Sequence, residues 1–302
     1  MKKILLLGGD GFLGKNLQNQ LLINDFRITV LSRSQNKFFP KIKDVEYIYD
    51  DFNKHKDIEV QKYDYVIHLV GSSNPLIDDS KPSAVFNDSL NSSIEILQRL
   101  SNSQAHFIYI SSGGAIYGDQ EEPLISEKSK IQPVNFYGQS KKIYESYINF
   151  FSQNYRLKSS IVRPGNVYGP GQSFKCSQGI ISKFIYQTLK SEEIAIWNDG
   201  TFTRDYIYVD DFSKMIVKLI DTNKTGTYNV GSGIGYSVLD ILSIIEDKID
   251  LKSKRNFIKS PFKNVKKNIL DISKAKKELN WLPEVSIDEG IQLTYDWIKK
   301  TI

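Results

Sequence analysis

The chain is predicted to fold as an α/β protein: a doubly wound parallel sheet (Rossmann-type), with a smaller C-terminal α/β unit. Three observations carry this expectation. Residues 4–7 are a continuous apolar run that stops at Gly8-Gly9-Asp10-Gly11-Phe12-Leu13-Gly14. Apolar runs and amphipathic stretches then alternate through the first half of the chain, the rhythm of strand, crossover helix and parallel strand. Several of those runs end in glycine or hydroxyl residues, which a ligand crevice at the carboxyl edge of such a sheet would use.

Bulk composition bounds the function class. A chain of 302 residues can bury a large core as one domain or two closely packed ones. Its net charge is only +5, and the densest lysine cluster, residues 252–277, reads as a solvated surface; no nucleic-acid partner is expected. No apolar run is long enough to span a bilayer, so no membrane partner is expected either. The opening Met-Lys-Lys and its apolar run resemble a secretory leader only until the run meets glycine, and a cytoplasmic protein is the expectation. The single cysteine, Cys176, allows no internal disulfide. His55, His68 and His106 share no metal-ligand spacing, so no metal is expected.

In chain order, residues 4–7 are the first strand, buried on both faces. Leu13, Leu17, Leu21 and Leu22 follow at helical spacing. Strand, glycine turn and helix form the context of a pyrophosphate site. Gly8 and Gly11 admit backbone amides to the phosphates, Gly14 lets the helix pack on the sheet, and the helix start, Phe12 and Leu13, faces the anion. Residues 27–31 are the second strand, ending in Ser32-Arg33. A carboxylate commonly holds the ribose 2′-hydroxyl of NAD at this place. Ser32 and Arg33 suit a 2′-phosphate instead, so the cofactor is NAD(H) or NADP(H) with a lean toward NADP(H); Arg33 as an exposed strand-end charge is the other reading.

Residues 45–49 are the third strand, followed by Asp51 and Phe52, which could hold an adenine or form an ordinary acidic turn. Residues 65–70 are the fourth, with His68 read as a core histidine and Leu69-Val70-Gly71 beside the cofactor. Residues 84–100 read as an amphipathic helix containing Ser89. Residues 107–110, the fifth strand, deliver Ser111 to Gly118 to the same sheet edge. Residues 138–155 form a helix with Ile143, Tyr144, Tyr147, Ile148 and Phe151 on one stripe. Tyr137 and Lys141 are four apart at its start and share a face. An ammonium near a phenol favours the phenolate and fits the tyrosine for acid/base work; a half-buried aromatic beside a solvated lysine is the plain alternative.

Residues 160–162 are read as the sixth strand, and residues 206–209 as a return to the main sheet under a covering helix at 212–220. Residues 227–231 and 237–249 give a strand and a helix of the smaller unit, and Trp281 and Trp297 look like packing residues of the terminal helices. The domain expectation is a dinucleotide-binding unit at 1–164, with the chain returning to it near 204–221, and a second unit at 165–302, to which the resemblance given next assigns mainly substrate binding.

Taken together, the chain resembles the extended short-chain dehydrogenases/reductases, in their nucleotide-sugar epimerase/dehydratase/reductase branch. The resemblance rests on the glycine turn, Asp51-Phe52, His68 to Gly71, Ser111 to Gly118, and Tyr137 with Lys141. Further on it rests on Arg163 to Gly171, Arg204 to Asp211, Leu270 to Ala275 and Leu279-Asn280-Trp281. It implies a Rossmann-type fold and a bound nicotinamide cofactor held in part by Leu69, Val70, Gly71 and Ser89. Tyr137 would move the proton of a sugar hydroxyl while Lys141 holds the nicotinamide ribose. Asn166, Ile180 and Arg204 would bind a nucleotide-sugar substrate, and helices near 84–100 and 138–155 would pair in a homodimer. The family's usual serine or threonine, five residues before Gly118, is Gly113 here, which leaves Ser112 as the candidate hydroxyl. A second basic residue for the nucleotide is sought near 259–264, where the chain has lysines and no arginine. The implied activity is 4-epimerisation of a UDP-hexose, of the UDP-glucose or UDP-N-acetylglucosamine type. The alternative is NADPH-dependent reduction of a dTDP- or GDP-linked 4-keto-6-deoxy sugar, toward which Ser32-Arg33 and Gly113 lean. A catalytically silent dinucleotide sensor is the third reading, and retention of Tyr137 with Lys141 speaks against it.

Overall fold

The computed structural model describes residues 1–35, 39–50, 59–70, 94–175, 179–260 and 265–302. Seven parallel strands form the main sheet: β1 (Lys3–Leu7), β2 (Arg27–Ser32), β3 (Val45–Tyr49), β4 (Tyr65–His68), β5 (His106–Ile110), β6 (Ser159–Pro164) and β10 (Gly226–Val230). Their spatial order is β10-β6-β5-β4-β1-β2-β3, a doubly wound sheet that reverses direction beside β1.

The apolar runs are continuous because both faces of this sheet are covered. Side chains alternate along a strand, so Ile4 and Leu6 enter one core with the helices Phe12–Ile23 and Val209–Thr222. Leu5 and Leu7 enter another, with the helical residues 94–100 and the helix Phe136–Asn154. Trp281 closes the first core, its indole donating to the Asp211 carbonyl at 3.2 Å.

A second layer begins after β6. β7 (Asn166–Tyr168), β9 (Thr203–Tyr208), β11 (Gly235–Ser237) and β13 (Lys267–Asn268) form a small sheet centred on β9, while β8 (Glu193–Trp197) pairs with β12 (Lys254–Ile258). A third core lies among the helices Ile180–Leu189, Val238–Ile249 and Ile287–Thr301, with Trp297 partly buried at its edge.

Two expectations are corrected. Residues 206–209 do not rejoin the main sheet as a strand; Tyr206 to Tyr208 belong to β9 in the second sheet, and the helix that begins at Val209, Val209–Thr222, makes the return. The strand assigned to the smaller unit, 227–231, is instead β10, paired parallel with β6 from Gly226↔Ser160 to Val230↔Pro164. Both runs are mostly buried, and burial alone does not say which sheet a strand joins.

Candidate active site

The carboxyl ends of β1, β4, β5 and β6 open onto a cleft of about 570 Å³. Gly8, Gly11, Phe12, Leu13 and Gly14 form one wall, and Leu69, Ser112, Tyr137, Lys141, Asn166 and Ile180 stand around it. Gly14 is required by close packing: a Cβ there would lie 2.2 Å from the Gly9 carbonyl oxygen. The Gly8 amide is already used, donating to Leu31 O at 2.8 Å. The unpaired donors are therefore those of the first helical turn at Phe12 and Leu13, which have no partner within the helix by geometry. Val70 backs the turn, its Cγ2 lying 3.0 Å from where a Gly8 Cβ would stand. This cradle fits a pyrophosphate.

The Tyr137 helix is held at its start by Asn135, whose side chain accepts the Gly138 amide at 2.8 Å. Gly138 lets that first turn press on the loop after β5, since a Cβ there would lie 2.3 Å from the Ala115 carbonyl oxygen. Tyr137 is thereby set half-buried against the Ser112 loop. One turn on, Lys141 is 7% exposed and donates to Ile110 O at 3.2 Å. Its Nζ lies 5.0 Å from the Tyr109 ring centroid and 5.5 Å from that of Tyr137. Burial pulls the Lys141 ammonium down to about 8, with the Glu145 carboxylate pulling the other way.

A lysine whose folded pKa lies below its ordinary 10.5 costs stability while charged, and that cost fades as pH rises from about 8 toward 10.5. Lys141→Met is therefore expected to stabilise the ligand-free protein at pH 7 by roughly 2–3 kcal/mol. Urea unfolding at pH 7 and pH 9.5 checks this: the gain should shrink at the higher pH, and a pH-independent loss of stability would contradict it.

Ser112 and Asn166 converge on the open side of Gly114; a Cβ there would lie 4.0 Å from Ser112 Oγ and 3.2 Å from Asn166 Oδ1. Gly113 faces elsewhere, since a Cβ on it would meet the Arg163 carbonyl oxygen at 2.9 Å and Leu270 at 2.8 Å. A serine at that position would not reach the cleft from this backbone. Sequence reasoning passed over Ser111. Strand alternation sets it opposite Ser112, yet both line the cleft, because the chain leaves the strand at Ile110 and turns into a short helix at Gly113–Ile116. The Ser111 hydroxyl, 4% exposed, has no hydrogen-bond partner among the described residues. A buried orphan at a cleft wall is a group a ligand would satisfy. Tyr168, Gln172 and Tyr206 complete the far wall.

Other candidates lie outside these walls. Ser32 Oγ accepts the Asp10 amide at 3.2 Å, and Arg33 is exposed. Arg204 is half-buried on β9, two residues before Tyr206 and on the same face. The neighbouring carboxylate, Asp205, is engaged elsewhere: it accepts the amides of Ser232 at 2.7 Å, Gly233 at 3.1 Å and Leu270 at 3.1 Å. Arg204 donates to the Thr203 carbonyl at 2.9 Å, and the described residues give it no ion pair. His68 sits among Phe107, Tyr109 and Tyr144, and burial, with Lys141 adding, pulls its imidazole down to about 3, as a core histidine requires. Among the described residues no His, Cys, Asp or Glu cluster could hold a metal, and no helix is long and apolar enough to cross a membrane. Asp51, Phe52, Gly71, Ser89 and Cys176 lie outside the described residues, as do 84–93 and 261–264.

Comparison with known proteins agrees with this geometry. Residues 4–231 match the family model of the NAD dependent epimerase/dehydratase family. A putative UDP-glucose 4-epimerase of Methanocaldococcus jannaschii is 31% identical over 303 residues, 98% of each chain. The crystal structure of UDP-glucose 4-epimerase from Thermotoga maritima with UDP-glucose superposes with a TM-score of 0.93 at 29% identity, covering 99% of both chains. That of UDP-glucuronic acid 4-epimerase from Bacillus cereus with UDP-glucuronic acid and NAD gives 0.90 at 27% identity, covering 99% of this chain and 100% of that one.

Proposed function

The chain belongs to the NAD dependent epimerase/dehydratase family, and on that premise we propose that it is a nucleotide-sugar 4-epimerase acting on a UDP-hexose. The observation that carries this reading is the convergence of Tyr137, Lys141, Ser112 and Asn166 on the cleft whose opposite wall is the glycine turn. A nicotinamide dinucleotide, when bound there, supplies the reversible hydride acceptor that oxidation and re-reduction of one sugar carbon require.

The chain's own residues do the rest. The glycine turn and the amides of Phe12 and Leu13 hold the pyrophosphate. Tyr137 takes the proton of the sugar hydroxyl as the carbon is oxidised and returns it when the carbon is reduced. Lys141, a cation in an apolar cage, favours the phenolate and donates to ribose hydroxyls. Ser111 and Ser112 supply hydroxyls at the same wall, and Asn166 orients the sugar. Arg204, half-buried with no carboxylate partner among the described residues, offers its guanidinium fork to the diphosphate.

We keep the division near residue 164 as part of this reading, together with a cytoplasmic location. A homodimer belongs to it as well: Phe136, Tyr147 and Phe150 are exposed along one helix, with Tyr155 beside its end. Incubation with UDP-glucose, UDP-N-acetylglucosamine or UDP-glucuronic acid is expected to yield the C4 epimer of one of them with no net consumption of coenzyme. Stoichiometric oxidation of NADPH by a dTDP-4-keto sugar, with no epimerisation of any UDP-sugar, would replace this reading with the reductase.

A further inference from the structure

We infer that Tyr206 is a positioning residue for the substrate: its phenolic hydroxyl holds the side-chain oxygen of Asn166, so that the amide N–H groups of Asn166 face the sugar. The inference rests on the reading above, in which Asn166 orients that sugar.

The pairing of β7 with β9 sets the two residues side by side. These strands run parallel, in register from Asn166↔Tyr206 to Tyr168↔Tyr208. Asn166 and Tyr206 both line the cleft. The neighbours of Tyr206 along β9 turn the other way, Asp205 toward Ser232 and Leu270, and Ile207 into the first core. The Tyr206 ring is fixed from behind: it belongs to the third core and meets the Tyr168 ring edge-on, 6.4 Å between centroids. Its hydroxyl therefore stays where the strand puts it.

That hydroxyl is left unsatisfied. Tyr206 is 4% exposed, and its hydroxyl has no hydrogen-bond partner among the described residues. Burial drives the phenol above its ordinary range, against the pull of Arg204 and Asn166, so it stays protonated and is a donor. Asn166 thus acts on the phenol from close by without completing a hydrogen bond to it. Asn166 is itself half-buried, and its Oδ1 lies 3.2 Å from where a Gly114 Cβ would stand, on the side that Ser112 Oγ shares. An amide has two unlike ends: the oxygen accepts and the nitrogen donates. Against a donor phenol the oxygen must face Tyr206, which leaves both N–H donors for the cleft. A sugar oxygen that accepts from the nitrogen pins the other end of the amide against the phenol, which completes the bond and satisfies the buried donor. With no hydroxyl at residue 206, nothing selects that orientation and the amide is free to turn its oxygen to the sugar.

Calorimetric titration of the protein, saturated with NAD, tests this with UDP-glucose, UDP-N-acetylglucosamine and UDP-glucuronic acid, taking whichever the parent binds most tightly. Tyr206→Phe is expected to weaken that binding about fivefold, the worth of one neutral hydrogen bond, with KM rising in step and kcat within about twofold of the parent. Asn166→Ala should weaken it about tenfold or more. Adding Tyr206→Phe to Asn166→Ala should then change affinity by less than about twofold, because the phenol acts through the amide. Urea unfolding separates this from a bracing role. Removing a buried hydroxyl that has no partner should leave substrate-free Tyr206→Phe as stable as the parent or more so, whereas a hydroxyl that braces β9 would lower the unfolding midpoint when removed. Unchanged affinity in Tyr206→Phe, a loss that adds in full to that of Asn166→Ala, or a destabilised Tyr206→Phe overturns the inference and leaves the epimerase reading standing. Parental affinity in Asn166→Ala overturns the inference together with the role of Asn166. Failure of the parent to bind any of the three sugars overturns both the inference and the epimerase reading.

Discussion

Tyr137→Phe is expected to lower kcat by about 10³-fold while leaving dinucleotide and UDP-sugar binding within a few-fold of the parent, since a positioned general acid or base contributes roughly 10²–10⁴. The ring keeps its place because its fixings are elsewhere: Asn135 caps the helix, and Gly138 seats the turn on the Ala115 carbonyl. Only the hydroxyl is lost, and with it the group that relieves the charge left on the sugar oxygen. Lys141 cannot take over. Its Nζ is a donor held against the Ile110 carbonyl, and it accepts a proton only once it has lost its own. Binding and chemistry should therefore separate, with KM nearly constant and kcat collapsing. Retention of more than about a tenth of parental kcat would remove Tyr137 from the acid/base role, and the hydroxyls of Ser111 and Ser112 would be the next to test.

How far the sequence foretold this site depends on whether the chemistry is local in the chain. The glycine turn was legible because strand, turn and helix are contiguous. Tyr137 and Lys141 were legible because one helical turn separates them. Ser111 was not, because the alternation rule holds only inside a strand and this one ends at Ile110. The Asp10 contact with Ser32 was not, because it forms only through the pairing of the parallel strands β1 and β2. In the second layer, β7, β11 and β13 are three residues long or shorter, too brief to show a period. β9 and β10 were read as strands but exchanged between sheets. Their residue patterns record burial, and the partner is chosen by crossover geometry many residues away.

The deepest ion pair among the described residues should give the largest loss of stability. Glu145, 2% exposed, meets Arg163 through Nε to Oε1 at 3.0 Å and Nη2 to Oε2 at 2.5 Å. Arg163 Nη1 continues to the Tyr117 hydroxyl at 2.8 Å, which donates to Asn229 at 2.7 Å, tying the Tyr137 helix to β6 and β10. Arg163→Met leaves a buried carboxylate without its cation and is expected to cost about 3–5 kcal/mol in urea unfolding at pH 7. Glu145→Leu with Arg163→Met should recover most of that, because the desolvated charges go together. A single-variant loss under about 1 kcal/mol, or a double variant no better than the single, would contradict this account. The same pair governs Lys141, one helical turn before Glu145. With Arg163 in place the Glu145 carboxylate is committed to the guanidinium fork, and burial holds the Lys141 ammonium at about 8. Remove Arg163 and that carboxylate is left uncommitted beside Lys141, whose ammonium it already favours. The ammonium should then persist to higher pH, moving the alkaline fall of kcat/KM upward, whereas the double variant, with no carboxylate at all, should move it downward. Opposite displacements from two variants of one ion pair would tie the buried network to the charge state of Lys141, which a purely structural role for Arg163 and Glu145 would not do.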